Sequence, residues 1–143
     1  MPLVESFSGI RGIYDDGLSE KVASKYAYSY LSLLKNKYNK KNDKIKNSNE
    51  KKLKIVIGTD TRPSRDIIKN AVFEALDCDI IDIGIATTPM TEFAVRHFKA
   101  DGGIIITASH NEPYWNGFKF LDNDGAVLRP KDMEEVKKKY ASI

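Results

Sequence analysis

Residues 103–119 read GIIITASHNEPYWNGFK, and the pattern of these residues indicates the class of fold. It begins with a short β-branched segment, GIIIT, of the kind found in a strand that is covered on both faces. It then changes at once to polar and turn-forming residues. A buried strand that ends in a polar loop is typical of a parallel sheet, whose ligand sites lie beyond the carboxyl ends of the strands.

Helical patterns precede this stretch in three places. After Ser19, the expected cap of the first helix, apolar residues recur at three- and four-residue spacing. A second helix is expected to begin near Pro63 or Ser64. A third is expected after Thr88, which is the predicted N-cap, with Pro89 in its first turn.

Two further strands are predicted, at residues 53–57 (LKIVI) and 79–83 (DIIDI). A glycine ends each of them, Gly58 in the first case and Gly84 in the second. Together with GIIIT they give the order strand, helix, strand, helix, strand with short connections. That order predicts a parallel sheet with right-handed crossovers.

The C-terminal part departs from this alternation. Residues 117–121 and 126–128 flank an Asn-Asp-Gly turn signal and predict a hairpin, an antiparallel addition to the sheet. A last helix is expected from about Pro130 to Tyr140. We therefore expect one α/β domain over residues 1–143, with three α/β/α layers, a mostly parallel (mixed) sheet, a C-terminal hairpin and a final helix.

Positive charge is concentrated in one segment. Residues 35–54 hold nine lysines and two acidic residues, whereas the remainder has 14 basic and 18 acidic residues, although the whole chain has a net charge of +3. The segment has no arginine and one aromatic residue, Tyr38, which is a poor composition for stacking on bases or for bidentate base readout. We interpret residues 35–52 as a solvated Lys/Asn-rich connector and expect no nucleic-acid partner.

The composition is that of a globular protein, with 41% hydrophobic and 30% charged residues in a chain of 143. No apolar run approaches the roughly 20 residues that a membrane helix needs, and the N-terminus lacks the pattern of a signal peptide. We expect a cytoplasmic protein without a membrane partner. The single cysteine, Cys78, excludes an internal disulfide and is interpreted as a small core or surface residue.

The loop after GIIIT carries side chains suited to covalent group transfer. Its alanine permits a tight turn that exposes the Ser109 hydroxyl, and His110 and Asn111 add polar groups beside it. Asn116–Gly117 is a turn signal, expected to fold Lys119 back towards the serine. A serine, an imidazole and an ammonium supply a nucleophile, a proton carrier and a charge neutraliser. Taken singly, each residue also fits an ordinary polar loop.

The whole loop resembles the active-serine loop of the α-D-phosphohexomutases, the phosphoglucomutase/phosphomannomutase superfamily, whose pattern is Thr-Ala-Ser-His-Asn-Pro followed by Asn-Gly-x-Lys. Other segments resemble elements of that family in the same order: residues 8–12 (SGIRG), 58–64 (GTDTRPS) and 87–89 (TTP). The likeness covers nearly the whole chain as the family's first domain. Glu112 departs from the pattern, because it stands where the family usually has proline, while the spacing from Ser109 to Lys119 is kept.

The resemblance implies a phosphohexomutase reaction. Enzymes like this carry a phosphoserine, pass its phosphoryl group to a sugar monophosphate and take back the other phosphate of the bisphosphate, so that hexose 1-phosphate and hexose 6-phosphate interconvert. Ser109 is then the phosphoryl carrier and, through its phosphate, a ligand of Mg²⁺, whose remaining ligands are expected in a second domain. Lys119 and His110 are the residues implied to move the sugar hydroxyl proton, with Lys119 favoured.

The resemblance also implies residues that bind substrate. Arg11 and Lys119 would bind and neutralise phosphate, and Asn111 would order the loop or bind substrate. Read from the sequence alone, Arg11 could instead pin a loop to a carboxylate. Asp60 and Arg62 are interpreted as an ion pair that holds the loop after the first predicted parallel strand, rather than as catalytic residues.

The implied partners are sugar phosphates and the remaining domains of the same enzyme, with glucose or mannose 1,6-bisphosphate as activator. Since enzymes of this family build their cleft from four domains, we expect this domain alone to have little or no mutase activity. Phosphomannomutase/phosphoglucomutase is the favoured assignment, and a phosphoglucosamine mutase domain is the enzymatic alternative. A non-catalytic binding module that keeps the fold is the alternative from another class of protein.

Overall fold

A computed structural model describes residues 2–42 and 51–143. Within those residues one sheet is formed by β1 (Val4–Ser6), β2 (Gly9–Tyr14), β3 (Gly17–Leu18), β4 (Lys54–Thr59), β5 (Asp79–Ile85), β6 (Gly102–Ile106) and β7 (Trp115–Leu121). The helices are α1 (Glu20–Asn42), α2 (Arg65–Ala75), α3 (Thr88–His97) and α4 (Pro130–Ala141). None of these helices is both long enough and apolar enough to cross a membrane.

The sheet has the strand order β1-β2-β7-β6-β4-β5, with β3 paired to β2. Strands β5, β4 and β6 are parallel to one another, as the βαβ pattern predicts. Strand β7 is antiparallel to both β6 and β2, so the parallel part of the sheet continues into an antiparallel part. The predicted mixed α/β sheet is confirmed.

Apolar side chains cover the two faces of the sheet unequally. On one face α1 packs against α2 and α4, and the larger core cluster includes Ile104 and Ile106 of β6. On the other face α3 packs against β4 and β6, and the smaller cluster includes Ile105 and Val95. Successive residues of a strand point to opposite faces, and both faces are covered, which is why all three isoleucines of the GIIIT run are buried.

The N-terminal strands β1, β2 and β3 are not predicted by the sequence. They are two to six residues long, and glycines interrupt the alternation of β2, whose sequence is GIRGIY. The predicted ends of the parallel strands are also wrong. Strands β4 and β5 continue beyond Gly58 and Gly84, because a register shift at these two residues lets the pairing resume. Such a shift accommodates a glycine without ending the strand.

The start of α3 differs from the prediction by one residue, whereas α2 begins where it is expected, after Ser64. Thr87, rather than Thr88, caps α3, and its side chain accepts a hydrogen bond from the Met90 N–H at 3.3 Å. Ser64 precedes α2 at the cap position but makes no side-chain capping bond. Its hydroxyl instead accepts a hydrogen bond from Asn116 of β7, so tertiary contact replaces the local cap.

The expected Lys/Asn-rich connector is helical in its first part. Helix α1 continues through residues 35–42, where Tyr38 packs against the larger core cluster. Lys37 forms ion pairs with two carboxylates, Asp122 and Asp132. These contacts stabilise helical turns that apolar periodicity alone does not predict. Residues 43–50 of the connector lie outside the described residues.

The predicted C-terminal hairpin forms only in part. After β7 the chain turns at Gly125 and returns, but its pairing is limited to an isolated bridge between Leu121 and Val127. Two backbone hydrogen bonds flank this bridge, from Asp122 N–H to Ala126 and from Leu128 N–H to the β7 strand. Helix α4 then begins at Pro130, as predicted.

A tyrosine hydroxyl is built into the core between two strands. Tyr30 of α1 is fully buried, and its hydroxyl donates to the Leu121 carbonyl at 2.6 Å and accepts from the Gly103 N–H at 2.8 Å. A Cβ on Gly102 would lie 2.0 Å from that hydroxyl oxygen. The glycine that opens β6 therefore provides the room for a buried polar group whose hydrogen bonds are satisfied.

Cys78 lies just before β5 and is buried in the larger core cluster. Burial raises the pKa of its thiol to about 11, and the neighbouring carboxylate of Asp79 adds to the shift. Of the two interpretations, core or surface residue, the structure supports the core.

Candidate active-site loop

The loop over residues 107–114 links β6 to β7 at the carboxyl end of the parallel strands. The Thr107 N–H donates to the Gly117 carbonyl at 3.0 Å, which closes the base of the loop. The segment after β4 runs beside it, because the Asp60 N–H donates to the Ile106 carbonyl at 3.1 Å. Two strand ends therefore meet where ligands bind in open parallel sheets.

Ser109 has an unusual backbone conformation. Its φ of +57° lies in the left-handed region, which residues other than glycine rarely adopt. Its N–H donates to the Thr107 hydroxyl at 3.0 Å, and the Asn111 N–H donates to the Ala108 carbonyl at 3.1 Å. Ala108 is fully buried while Ser109 is exposed, so this tight turn presents the serine to solvent.

The Arg62 side chain holds the loop by binding the main-chain carbonyl groups of the loop. The Arg62 guanidinium donates to the carbonyl oxygens of Ser109 at 2.8 Å and Asn111 at 3.0 Å. It also donates to the carbonyl oxygens of Glu112 and Trp115. Only 9% of Arg62 is exposed, so these are buried charge-assisted hydrogen bonds.

Asp60 connects this arginine to the start of the loop. The Arg62 Nε–H donates to Asp60 Oδ2 at 2.9 Å, and the Thr107 hydroxyl donates to the same oxygen at 2.7 Å. The predicted Asp60–Arg62 ion pair is confirmed. The hydrogen bonds from Arg62 to the serine loop were not predicted. Nothing in the spacing of GTDTRPS indicates that this arginine is buried against residues about fifty positions later in the chain.

Arg11 comes from β2, where it pairs with Gly117 of β7. One of its guanidinium nitrogens donates to the Asn111 side-chain oxygen at 3.2 Å. Within residues 2–42 and 51–143 Arg11 forms no ion pair with a carboxylate, so nothing in this part of the chain supports the alternative that it pins a loop to an acid. The structure thus brings Arg11 and Asn111 together at the serine loop.

Lys119 lies in β7, half-buried, and pairs with Ile105 of β6. Because Arg11 pairs with Gly117 and side chains alternate along a strand, Lys119 and Arg11 share one face of the sheet. This face is opposite to the one that buries Phe118 and Ile10. Within residues 2–42 and 51–143, neither the Lys119 ammonium nor the exposed His110 ring makes a side-chain hydrogen bond or ion pair.

The predicted turn at Asn116–Gly117 is wrong, because both residues lie inside β7. Asn116 is fully buried, and its amide donates to the Ser64 hydroxyl at 2.9 Å. A Cβ on Gly117 would lie 2.0 Å from the Ile10 carbonyl oxygen of β2. The Asn-Gly pair therefore serves strand packing, and the reversal occurs earlier, within residues 109–114.

The described residues contain no cluster of three or more His, Cys, Asp or Glu side chains that could hold a metal ion. Asp60, the carboxylate beside the loop, is already bound by Arg62 and Thr107. The metal-binding groups available at the exposed end of the loop are a hydroxyl, an imidazole, an amide and the single carboxylate of Glu112. These residues alone do not fit the oxygen-rich shell that Mg²⁺ prefers.

The family model described as "Phosphoglucomutase/phosphomannomutase, alpha/beta/alpha domain I" matches residues 5–143 of the chain. The chain belongs to this phosphoglucomutase/phosphomannomutase family. The match includes the Arg11 strand, the Asp60–Arg62 segment and the serine loop, so the elements that meet in space are those of the family's domain I. The resemblance read from the sequence is confirmed.

Individual members of the phosphoglucomutase/phosphomannomutase family agree with this assignment. A phosphoglucomutase/phosphomannomutase from Thermococcus kodakarensis is 39% identical over 131 residues, 90% of this chain and 26% of its own length. A phosphoglucosamine mutase from Methanococcus aeolicus is 32% identical over 131 residues, 90% of this chain and 25% of its own. A Thermus thermophilus protein assigned as a phosphomannomutase superposes with a TM-score of 0.79 at 25% identity, covering 98% of this chain and 30% of that one. The chain spans about a quarter of the length of the sequence relatives.

Proposed function

We propose that this chain is the phosphoserine-bearing domain of a phosphohexomutase that interconverts hexose 1-phosphate and hexose 6-phosphate, with Ser109 as the phosphoryl carrier. The observation that carries the proposal is the exposed Ser109 at a left-handed position, in a loop whose main chain is held from below. A strained, exposed serine at a strand end is the arrangement expected of a group that must be reached by a substrate.

The transfer balances without an external donor. The sugar hydroxyl oxygen attacks the phosphorus of phosphorylated Ser109, and the bond from phosphorus to the serine oxygen breaks. The hydroxyl proton passes to a base, and the departing serine oxygen takes up a proton from a general acid or from water. Lys119 and His110 are the candidates for that base, and Lys119 is favoured. The resulting bisphosphate turns round and returns its other phosphoryl group to the serine, so the enzyme is regenerated.

Cations are needed because two phosphates must approach each other. A phosphoserine carries about −1.5 to −2 charges at neutral pH, and the sugar phosphate adds a similar charge. Arg11, bound to Asn111 at the rim of the loop, and Lys119, on the same face of the sheet, are positioned to offset this repulsion. Their benefit is greatest where charge spreads over the transferring group. We propose Arg11, Lys119 and Asn111 as the residues of this domain that bind substrate.

In this proposal the phosphate on Ser109 is the only ligand that this domain would supply to Mg²⁺. Mg²⁺ would neutralise charge on the transferring phosphoryl group. This domain would supply phosphoryl oxygens to it, and the remaining ligands would come from outside this chain. Glucose or mannose 1,6-bisphosphate is the proposed activator, since it can phosphorylate the serine directly.

The sugar assignment remains that of a phosphomannomutase/phosphoglucomutase. A phosphoglucosamine mutase is the second candidate, because relatives of both names match the same length of this chain. We propose a soluble, cytoplasmic enzyme whose partners are sugar phosphates and the domains that complete the cleft. Alone, this domain would have little or no turnover, because the other domains are needed to hold the sugar phosphate near Ser109 and to neutralise its charge.

A domain-replacement protein tests the proposal. The chain is substituted for the segment that it matches in the Thermococcus kodakarensis relative, and formation of glucose 6-phosphate from glucose 1-phosphate is followed with Mg²⁺ and glucose 1,6-bisphosphate. We expect turnover by the replacement protein, none by residues 1–143 alone, and none by a replacement protein that carries Ser109→Ala. Intact mass should reveal one phosphoryl group that Ser109→Ala abolishes.

Three outcomes would refute parts of the proposal. A folded replacement protein that neither turns over nor accepts phosphate would favour the non-catalytic binding module. Normal turnover by Ser109→Ala would refute the role of the serine while leaving the family assignment intact. Full turnover by residues 1–143 alone would refute the need for further domains.

A further inference from the structure

We propose that Arg62 is a positioning residue, whose buried guanidinium holds Ser109 in the left-handed conformation that exposes its hydroxyl. The catalytic consequence rests on the proposed function of Ser109, but the effect on conformation does not. Arg62 lies outside the serine loop, in the segment between β4 and α2. It reaches the loop through side-chain to main-chain hydrogen bonds alone.

The first step of the argument is the number of carbonyl groups that one side chain satisfies. Arg62 donates to the carbonyls of Ser109, Asn111, Glu112 and Trp115, which span the whole reversal between β6 and β7. A loop that leaves a sheet must find partners for its backbone groups, since buried unpaired carbonyls are costly. Here the Arg62 guanidinium supplies the hydrogen bonds that a strand or helix would otherwise give to these carbonyl groups.

The second step is the strain at Ser109. A left-handed conformation is unfavourable for a residue with a Cβ and persists only where surrounding contacts impose it. The Ser109 peptide groups are held on both sides, because its N–H is bound by Thr107 and its carbonyl by Arg62. Both holding groups converge on one carboxylate, that of Asp60.

The third step is chemical specificity. A guanidinium is planar, carries five donors and is rigid, so it can bind carbonyls on different sides while its Nε–H binds a carboxylate. A lysine ammonium at this position has three donors on one atom and cannot span four carbonyls. Since Asp60 lies at 2.9 Å from Arg62, the pair brings little net charge to the site. The Arg62–Asp60 pair therefore fixes the conformation of the loop, and other residues supply the positive charge that would bind phosphate.

The test compares Arg62→Met with Arg62→Lys in the 143-residue chain by NMR. The matched control is Arg96→Met, because Arg96 donates to the Asp124 carbonyl at 3.2 Å in the turn at the other end of β7. Two quantities are measured for each protein. One is amide hydrogen exchange in the loop and in β4 and β6, and the other is the intraresidue HN–Hα Overhauser effect of Ser109, which is strong only at positive φ.

In Arg62→Met we expect the amides of Ser109, Asn111 and Trp115 to exchange about ten- to a hundredfold faster, as loss of charge-assisted hydrogen bonds requires. The Ser109 Overhauser effect should weaken. Arg62→Lys should rescue only part of the protection. Arg96→Met should leave all three loop amides unchanged, and the exchange of β4 and β6 amides should change by less than that of the loop in every variant.

Three results would overturn the proposal. Unchanged loop exchange and an unchanged Overhauser effect in Arg62→Met would mean that Ser109 keeps its conformation without the arginine. Equal acceleration in the loop and in β4 and β6, or loss of folding in both variants, would mean that Arg62 stabilises the domain as a whole. Complete rescue by Arg62→Lys would mean that charge, rather than the planar donor array, is what matters.

The replacement protein separates this proposal from the proposed function. If Ser109 carries the phosphoryl group, Arg62→Met should lower kcat more than it raises KM, because a misplaced serine still lets substrate bind. A rise in KM with kcat unchanged would contradict the positioning role. If the replacement protein has no activity at all, the proposed function fails, and the NMR result alone decides the conformational role of Arg62.

Discussion

The two connections that flank β7 differ in which of their side chains remain free. The loop before β7, residues 107–114, is bound through its main chain by a buried arginine, and its Ser109 and His110 side chains are exposed. The segment after β7, residues 122–129, has backbone hydrogen bonds and a contact from Arg96 to its main chain, but two of its own carboxylates also hold it in place. Asp122 pairs with Lys37 of α1, and the Asp124 carboxylate accepts from the Ala126 N–H at 2.9 Å.

The difference lies in which atoms remain available. When a loop is fixed through carbonyl groups, its side chains can be chosen for chemistry without loss of shape. When a turn is fixed through carboxylates, those carboxylates are committed to structure. Only the first arrangement can present a reactive residue at a defined place, which functional sites require.

After the loss of turnover expected for Ser109→Ala, the largest effect is expected from Lys119→Met in the replacement protein. In the proposed mechanism Lys119 moves the sugar hydroxyl proton and offsets phosphate charge, so its loss should lower kcat/KM by about 10²- to 10⁴-fold. Lys138→Met, on the exposed side of α4, is the matched control and should leave kcat/KM unchanged. Steady-state kinetics at saturating bisphosphate measures both. Retention of at least half the activity in Lys119→Met would remove this lysine from the mechanism.

An intermediate effect is expected from Asp122→Asn, at the other end of β7. Burial alone would raise the pKa of Asp122, but the hydrogen bond and charge of Lys37 and the N–H of Asn123 lower it below the ordinary value of 3.8. The folded carboxylate therefore releases its proton more readily than the unfolded one. Its stabilising contribution is present above about pH 4 and is lost as the pH falls through the lower folded pKa.

Urea unfolding as a function of pH measures this contribution. At neutral pH Asp122→Asn should lower the free energy of unfolding by about 1 kcal/mol, since Lys37 keeps its second partner, Asp132, at 2.9 Å. The variant should also lose less stability than the wild type between about pH 5 and pH 3. Asp66→Asn, an exposed carboxylate on α2, is the control. An identical acid dependence in Asp122→Asn and the wild type would contradict the assignment.

The smallest effect is expected from Glu112→Pro, which restores the residue usual in the family. The Glu112 carbonyl, bound by Arg62, is kept, and the Glu112 side chain has no hydrogen-bond partner among the described residues. The free energy of unfolding should change by less than about 0.5 kcal/mol. Calorimetry of Glu112→Pro and Glu112→Gln separates the effect of the proline backbone on Tm from the effect of removing the carboxylate charge. A loss of several degrees in Tm in the proline variant alone would mean that the loop follows a different path from that of the family.

The regular part of the fold could be predicted because its signals are local. Strands β4 and β6 contain uninterrupted apolar runs, β5 has isoleucines spaced by Asp82 and Gly84, and the helices between these strands have apolar periodicity. The N-terminal strands β1 to β3 lack such a signal. They form because β7 offers an edge to β2, and pairing over a hundred residues is a tertiary effect.

The site was predicted unevenly for a similar reason. Ser109, Arg11 and Asn111 were identified by motif, and the structure places them at one loop. The Asn116–Gly117 pair was misinterpreted because the same dipeptide suits both a turn and a position where two paired strands approach closely. The role of Arg62 could not be predicted, since an arginine in a polar segment is usually exposed and only the packed structure buries it.

The buried thiol of Cys78 makes the domain convenient for chemical labelling. With its pKa raised to about 11 and its sulfur enclosed by the core, this cysteine should be nearly inert to alkylating reagents at neutral pH. A cysteine introduced at an exposed loop position would then be the preferred target of a probe without any background mutation. Fluorophores or spin labels placed in this way could report when the loop is touched by a sugar phosphate.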